Sequence, residues 1–210
     1  MSDNRHVLAA DMDKTQEQVI EPTITIAISN YNGRAVLEKT LDAIRALDER
    51  LGREVLVVDD GSVDDSVSWI HDNYPNVRII RMEYNTKRLN AVRNRALRES
   101  KTRYVMLIDN DIVLNDQCVR KLQKVLKGQP DTMCCTPRLL YYGNPRRIYH
   151  DGSGVHYLAL PGKLVRDQPI ENHPVRAPEP TIGCGIMMID RQRASHIDYF
   201  DDTCPIGCSD

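Results

Sequence analysis

Several short motifs that mark large enzyme classes are missing from this sequence. No G-x-x-x-x-G-K-[ST] occurs, and no G-x-G-x-x-G follows the first predicted strand. Both motifs place glycine-rich backbone against phosphate groups, so their absence argues against a P-loop NTPase and a dinucleotide-dependent oxidoreductase. A G-x-S-x-G elbow is also absent, which leaves a Ser-His-Asp hydrolase unsupported.

The chain has little excess charge, no paired cysteine motif and no long apolar run. A formal net charge of -2 gives no global electrostatic reason to expect nucleic acid as a partner. The six cysteines form no C-x-x-C pair, which is typical of reduced thiols in the cytoplasm. No stretch reaches the roughly 18 apolar residues of a membrane-spanning helix. The polar N-terminal segment does not resemble a signal peptide, so we expect a cytoplasmic protein.

What the sequence does contain is a regular alternation of strand and helix patterns. Apolar, β-branched runs predict strands at 23–28, 55–58, 77–81, 104–109 and about 132–136. Helical spacing of apolar residues fills the intervals, and Ser62 is predicted to cap the second helix with Val63 on its buried stripe. This order predicts an α/β fold with a predominantly parallel, doubly wound, Rossmann-like sheet.

The two ends of the chain break this rhythm. Residues 1–21 carry too few apolar positions to build a face, so we expect a flexible leader before a domain at 22–210. After Pro137 the chain is rich in Gly, Pro, Tyr and Arg, and we expect mostly loop until one more strand at 186–189. Arg146 and Arg147 in this part form a small basic patch, either a membrane contact or a solvated loop.

An acidic cluster follows the most apolar predicted strand. The run 104–108 ends in Asp109, Asn110 and Asp111. In open α/β sheets ligands bind outside the carboxyl ends of the strands. Two carboxylates spaced two residues apart suit one hard divalent cation. The alternative is a solvated turn, in which Asp and Asn serve only as turn formers.

Five short motifs follow one another along the predicted strand ends. They are S-N-Y-N at 29–32, V-D-D-G-S at 58–62, V-R-N at 92–94, I-D-N-D at 108–111, and G-C-G-I-M-M-I-D-R at 183–191. In this order they resemble the family 2 glycosyltransferases with the GT-A fold, over about residues 23–210. The resemblance implies a nucleotide-binding half at 22–136 and an acceptor-side part at 137–210.

The resemblance implies roles for individual residues in binding the donor nucleotide and a metal. Asn30 and Tyr31 match the turn over the nucleotide base, and Asp59 or Asp60 matches the acid that binds base and ribose. Arg93 matches a cation that meets the diphosphate. The triplet Asp109, Asn110 and Asp111 matches the metal motif, in which Asp109 and Asp111 hold Mn²⁺ or Mg²⁺.

For the sugar and acceptor, the resemblance implies a second set of residues. Gly183, Cys184 and Gly185 match the small-residue turn bordering the donor sugar and acceptor. G-C-S-D at 207–210 matches a G-x-E-D motif, so Asp210 is implied as the general base of an inverting transfer. Ser209 departs from the acidic residue of that motif, and Arg88 stands where a Gly is common. Because the family continues past this motif, we expect a truncated chain that binds donor better than it transfers sugar.

The implied partners are a UDP-, GDP- or dTDP-sugar and a saccharide or glycolipid acceptor, with no nucleic acid. The implied setting is polysaccharide assembly in the cytoplasm, at the inner face of a membrane with peripheral contact. Two other functions stay open: an inactive sugar-nucleotide-binding module and a metal-dependent nucleotidyltransferase. The latter typically has a Gly- and Arg-rich loop after the first strand, whereas Arg34 is the only cation there.

Overall fold

The fold is built from strands and helices in alternation over most of the chain. The structure is a computed structural model that describes residues 23–155, 161–163, 165–174 and 185–203. The strands within these ranges are β1 (Ile24–Asn30), β2 (Arg53–Asp59), β3 (Arg78–Arg81), β4 (Tyr104–Asp109), β5 (Cys134–Cys135), β6 (Leu139–Tyr141), β7 (Asn144–His150), β8 (Ser153–Val155), β9 (Pro161–Lys163), β10 (Gln168–Pro169) and β11 (Ile186–Asp190). The α-helices are α1 (Arg34–Arg45), α2 (Ser66–Asn73), α3 (Leu89–Glu99), α4 (Asp116–Gly128) and α5 (Arg191–Ala194).

A six-stranded sheet forms the centre, in the order β3-β2-β1-β4-β11-β5. The pairs β1-β2, β1-β4 and β2-β3 are parallel, while β11 runs antiparallel to both of its neighbours. This confirms the predicted α/β class and the predominantly parallel sheet. In the parallel registers Asn30 pairs with Asp59, and Ser29 pairs with Asp109. The carboxyl ends of three neighbouring strands therefore meet at one edge.

Helices cover the central sheet on both faces, because its strands are apolar on both sides. Ile24, Ile26 and Ile28 of β1 join one buried cluster with apolar residues of α1, α2 and α4. Ala27 lies in the opposite cluster, with α3 and α5. A parallel sheet needs cover on both faces. The continuous apolar runs of the strands therefore pack against the apolar stripes of the helices.

The start of the second helix differs from the prediction. Helix α2 begins at Ser66, and its N-cap residue is Asp65 rather than Ser62. The Ser62 hydroxyl instead donates to Asp59 Oδ2 over 2.5 Å, so it joins the polar groups at the strand ends. Val63, predicted on the buried stripe, is 86% exposed. The loop between β2 and α2 is longer than predicted because its polar groups bond back to β1 and β2.

The segment after Pro137 is also more regular than predicted. Strands β6, β7 and β10 form a three-stranded antiparallel sheet, and β8 pairs with β9. Ile148 and His150 of β7 are buried while Tyr149 between them is exposed, so the strand has one inner face. Arg146 and Arg147 therefore lie on a strand and not on a loop. Residues 144–147 at the start of this strand are all exposed, so the short alternation at 148–150 was not recognised in the sequence.

No α-helix in the described ranges is both long and apolar enough to cross a lipid bilayer. The leader predicted at 1–21 lies outside the described residues.

Candidate active site

A cavity of about 290 Å³ opens at the carboxyl edge of the central sheet. It is lined by residues from the ends of β1 and β4, from the loop after β2 and from the start of α3. These residues are Ser29, Asn30, Tyr31, Asp60, Leu89, Val92, Asp109, Asn110 and Asp111. The fold thus brings six of the predicted nucleotide and metal residues to one concave surface: Asn30, Tyr31, Asp60, Asp109, Asn110 and Asp111.

Asn30 lies at the centre of a buried hydrogen-bond network beneath this cavity. Its amide nitrogen donates to Asp59 Oδ2 over 2.8 Å and to Ser66 Oγ over 3.2 Å. Its amide oxygen accepts from Asn110 Nδ2 over 2.9 Å. The residue is 2% exposed. Asn30 therefore ties the ends of β1, β2 and β4 together with both of its side-chain polar atoms occupied.

The two acids after β2 have different surroundings. Asp59 is fully buried and accepts from Asn30, from the Ser62 hydroxyl and from the Ser62 backbone N-H over 2.9 Å. Asp60 lines the cavity and accepts from the Thr86 backbone N-H and hydroxyl over 3.0 and 3.1 Å. Of this pair, the structure places Asp60 within reach of a molecule in the cavity and Asp59 behind it.

The loop that starts α1 approaches this network closely enough to require glycine. A Cβ atom at Gly33 would lie 2.1 Å from Asn110 Nδ2 and 2.2 Å from Asn30 Oδ1. Real Cβ contacts are never so short, so a side chain at Gly33 would separate these two amides. Gly33 therefore protects the bond that joins Asn110 to the end of β1.

Asp109 lies between a buried cation and a glycine. Its Oδ1 is 3.5 Å from Nη2 of Arg93, whose side chain is 3% exposed against 34% for Asp109. Its backbone N-H donates to the Gly185 carbonyl over 2.8 Å. Arg93 was predicted to contact a diphosphate. The structure places its guanidinium behind Asp109, and the diphosphate contact stays a prediction.

The carboxylates of Asp109 and Asp111 suit a hard divalent cation. Both residues line the cavity, and Asp111 is exposed while Asp109 is partly so. Carboxylate oxygens are the ligands that Mg²⁺ and Mn²⁺ prefer, and Mg²⁺ is typically held by one or two carboxylates plus phosphates and water. Within the described part of the chain, no group of three or more His, Cys, Asp or Glu side chains surrounds a common point. The two carboxylates thus fit a metal shared with a bound phosphate rather than a closed protein site.

Sequence reasoning did not identify Thr86, Leu89 and Ser62 as part of the site. Thr86 holds Asp60, Leu89 lines the cavity, and Ser62 holds Asp59. Thr86 and Leu89 lie in none of the five motifs, and although Ser62 ends the V-D-D-G-S motif, its bond to Asp59 is visible only in the folded chain. Of the predicted sugar and acceptor residues, only Gly185 is described. Gly183, Cys184 and Asp210 lie outside the described residues.

Helix α3 also holds the last described segment of the chain. Asn94 Nδ2 donates to the Phe200 carbonyl over 2.8 Å, and its Oδ1 accepts from the Phe200 N-H over 3.1 Å. One helical turn earlier, Asn90 Nδ2 donates to the Asp201 carbonyl over 2.9 Å. The helix that lines the cavity with Leu89 and Val92 thus fixes the course of the chain a few residues before 204–210.

The family to which this arrangement belongs follows from comparison with known proteins. The family model described as Glycosyl transferase family 2 matches residues 25–194. This chain belongs to glycosyl transferase family 2. The match spans both the central sheet and the sheet formed by β6, β7 and β10, and it ends before the described residues 195–203.

One relative found by sequence and one solved structure agree with the assignment of this chain to family 2. Poly-beta-1,6-N-acetyl-D-glucosamine synthase of Staphylococcus epidermidis is 27% identical over 162 residues, covering 74% of this chain and 37% of the synthase. The structure of S. aureus TarS 1-349 in complex with UDP has a TM-score of 0.60 at 17% identity, covering 89% of this chain and 52% of that one.

A second solved structure is the mannosyltransferase PcManGT from Pyrobaculum calidifontis in complex with GDP-Man and Mn²⁺. Its TM-score is 0.60 at 19% identity, covering 87% of this chain and 48% of that one. These likenesses show that the fold is of the GT-A type, as predicted. The chain spans little more than a third of the length of the synthase and about half of each structure.

Proposed function

We propose that this chain binds a nucleotide-diphosphate sugar in the cavity at the sheet edge and transfers the sugar to an acceptor hydroxyl with inversion. The observation that carries the proposal is the meeting of Tyr31, Asp60, Asp109 and Asp111 at one cavity in a family 2 chain. Membership of this family favours glycosyl transfer over the nucleotidyltransferase alternative.

The donor class is supported by the contents of related structures. TarS was solved with UDP, and PcManGT with GDP-Man and Mn²⁺. For this chain we propose that Tyr31, which is 45% exposed, packs against the base, and that Asp60 accepts hydrogen bonds from base or ribose. Thr86 holds Asp60 in place for this contact through two hydrogen bonds. Asn30 and Asn110, which line the cavity, and Asp59 behind them keep the three strand ends in register through their mutual hydrogen bonds.

At the other side of the cavity, a metal ion held by carboxylates would balance the negative charge of the diphosphate. Asp109 and Asp111 would hold Mn²⁺ or Mg²⁺, and the bound cation would neutralise the charge that develops on the departing diphosphate. Arg93 supplies a buried positive charge 3.5 Å from the Asp109 carboxylate, which orients that carboxylate by electrostatic attraction. Such support of a ligand by its neighbours is a general requirement of metal sites.

Asp210 is proposed as the general base because it matches the last residue of the family's G-x-E-D motif. As a base it would accept the proton of the acceptor hydroxyl while that oxygen attacks the anomeric carbon. A carboxylate performs this role when it is ionised and within about 3 Å of the hydroxyl. The acceptor is proposed to be a saccharide or glycolipid, used at the cytoplasmic side of a membrane.

Calorimetric titration of UDP, GDP and dTDP into the purified chain tests the donor site. We expect one of them to bind in the presence of Mn²⁺ and to lose most of its affinity in EDTA and in the variant Asp111→Ala. Because Asp111 is exposed, this substitution leaves the fold intact, which a thermal melt would check. Absence of binding by all three nucleotides to folded protein would refute the proposed donor site. Metal-dependent binding without transfer to any acceptor would identify an inactive binding module instead.

A further inference from the structure

We infer that Gly185 is a positioning residue for the metal ligand Asp109, and that its role is to leave room for the Asp109 carboxylate. This inference rests on the proposed metal role of Asp109. It differs from the role that family resemblance implied for Gly185, which was to border the donor sugar and acceptor.

The first observation is the register of the antiparallel strand β11. Ile186 pairs with Ile108 of β4, so Gly185 lies opposite Asp109, one position further along the ladder. The hydrogen bond from the Asp109 N-H to the Gly185 carbonyl continues this pairing. In an antiparallel pair, directly opposite residues project their side chains to the same face, with Cβ atoms about 4.5–5.5 Å apart. Any side chain at 185 therefore competes with Asp109 for the same space.

The second observation is that the Asp109 carboxylate already occupies that space. A Cβ atom built on Gly185 would lie 2.4 Å from Asp109 Oδ2 and 3.2 Å from its Cγ. The other carboxylate oxygen is 3.5 Å from the buried Arg93 guanidinium. The Asp109 carboxylate thus lies with one oxygen in the space that a Gly185 side chain would fill and the other facing Arg93. A methyl group at 185 would force the carboxylate to rotate out of this position.

The third observation concerns the backbone. Gly185 is not among the residues with positive φ, so alanine at this position meets no conformational strain. The atom that an alanine methyl would meet is the end of a short side chain, which is able to turn away. The expected consequence is displacement of a ligand with little loss of folding, in contrast to Gly61, where positive φ and nearby backbone atoms would oppose any side chain.

The test measures Mn²⁺ binding by electron paramagnetic resonance, with Mn²⁺ alone and with Mn²⁺ plus UDP, for the wild type, Gly185→Ala and Gly128→Ala. Gly128 ends α4, and no atom lies within 4 Å of a Cβ placed there, so it is the matched control. Loss of support for a metal ligand typically lowers metal affinity about 10- to 100-fold. We expect a loss of this size for Gly185→Ala and unchanged affinity for Gly128→Ala, with the melting temperature of both variants near that of the wild type.

The outcomes separate this inference from the proposed function. Equal Mn²⁺ affinity in the wild type and Gly185→Ala would overturn the inference and leave the proposed metal site standing. No Mn²⁺ binding by folded wild type, with or without UDP, would overturn both. If Gly185→Ala does not fold, the double variant Gly185→Ala, Asp109→Ala decides. It restores folding if the collision with Asp109 is the cause, and a double variant that stays unfolded refutes the inference.

Discussion

Replacing Asn30 by alanine should destabilise the fold, because the side chain is buried and fully bonded rather than free to contact a ligand. The variant removes a hydrogen bond to the Asp59 carboxylate and two bonds to the neutral groups of Ser66 and Asn110. A hydrogen bond to a charged group contributes about 1.5–3 kcal/mol and a neutral one about 1 kcal/mol. Asp59 retains two donors from Ser62, so we take about 3 kcal/mol as the expected loss of unfolding free energy.

Urea denaturation measures this loss directly. The midpoint should fall while the slope m is unchanged, because the same surface is exposed on unfolding. A loss of about 3 kcal/mol corresponds to a fall in melting temperature of roughly 6–12 °C for a domain of this size. Asn30→Asp should cost more than Asn30→Ala, since it replaces the donor to Asp59 with a second carboxylate.

Asn144→Ala is the matched control, because Asn144 is exposed and its side chain accepts one long bond, 3.3 Å from the Arg146 N-H. It should change stability by less than about 0.5 kcal/mol. If Asn30→Ala unfolds at the wild-type urea concentration and loses only nucleotide affinity, Asn30 is a ligand contact and its structural role at the strand ends is refuted.

Three further predictions follow from single contacts. Asp60→Asn should weaken nucleotide binding by about tenfold, the loss expected for one charge-assisted bond. It should lower stability less than Asp59→Asn, because among the described residues Asp60 accepts only from Thr86 whereas Asp59 accepts from both Asn30 and Ser62. Calorimetry and thermal melts on the two variants compare the acids, and greater loss of stability in Asp60→Asn would contradict their assigned roles. For Asp190, burial raises the pKa, but bonds from Arg103 and the Arg193 N-H outweigh it and hold the pKa below its usual value. The Asp190 carboxylate therefore stabilises the fold above about pH 4, its pKa in the unfolded chain, and this stabilisation is lost as the pH falls through the folded pKa. In urea denaturation at decreasing pH, the difference in unfolding free energy between wild type and Asp190→Asn should shrink. A difference that stays constant down to pH 2 would contradict the lowered pKa of Asp190. Burial raises the pKa of the Cys135 thiol to about 12, so Cys135 should resist iodoacetamide at pH 8 in folded protein and react in urea. Tandem mass spectrometry would distinguish labelling of Cys135 from labelling of the exposed neighbour Cys134. Rapid labelling of Cys135 itself in the folded chain would contradict this prediction.

The architecture could be predicted because it is encoded by local patterns. Each central strand is a short apolar run, and each of α1, α3 and α4 carries an apolar stripe, so the alternation of elements needs no knowledge of distant contacts. The position of the candidate site followed from the same patterns. Polar residues come directly after three apolar runs, and parallel strands place their carboxyl ends together.

The roles of neighbouring polar residues could not be predicted in this way. Asp59 and Asp60 are adjacent and both are buried, yet only Asp60 lines the cavity. Which carboxylate faces the cavity depends on Asn30 at the end of β1 and on Ser62 and Thr86, which come from two different loops. Ser62 looked like a helix cap for the same reason, since its real partner, Asp59, is specified by the path of the loop.

Local sequence patterns were enough to predict the order of strands and helices up to about residue 136, the burial of β1 and β4 and the cluster of polar residues at the strand ends, because side-chain periodicity and turn-forming residues act within a few positions. Tertiary pairing decided that β11 enters the sheet between β4 and β5 and that Gly185 therefore meets Asp109. It also decided that residues after Pro137 form a second sheet. These features depend on pairings between segments that are distant in sequence. The free energy of such a pairing depends on how the two segments pack together, and it cannot be inferred from the residues of either segment alone.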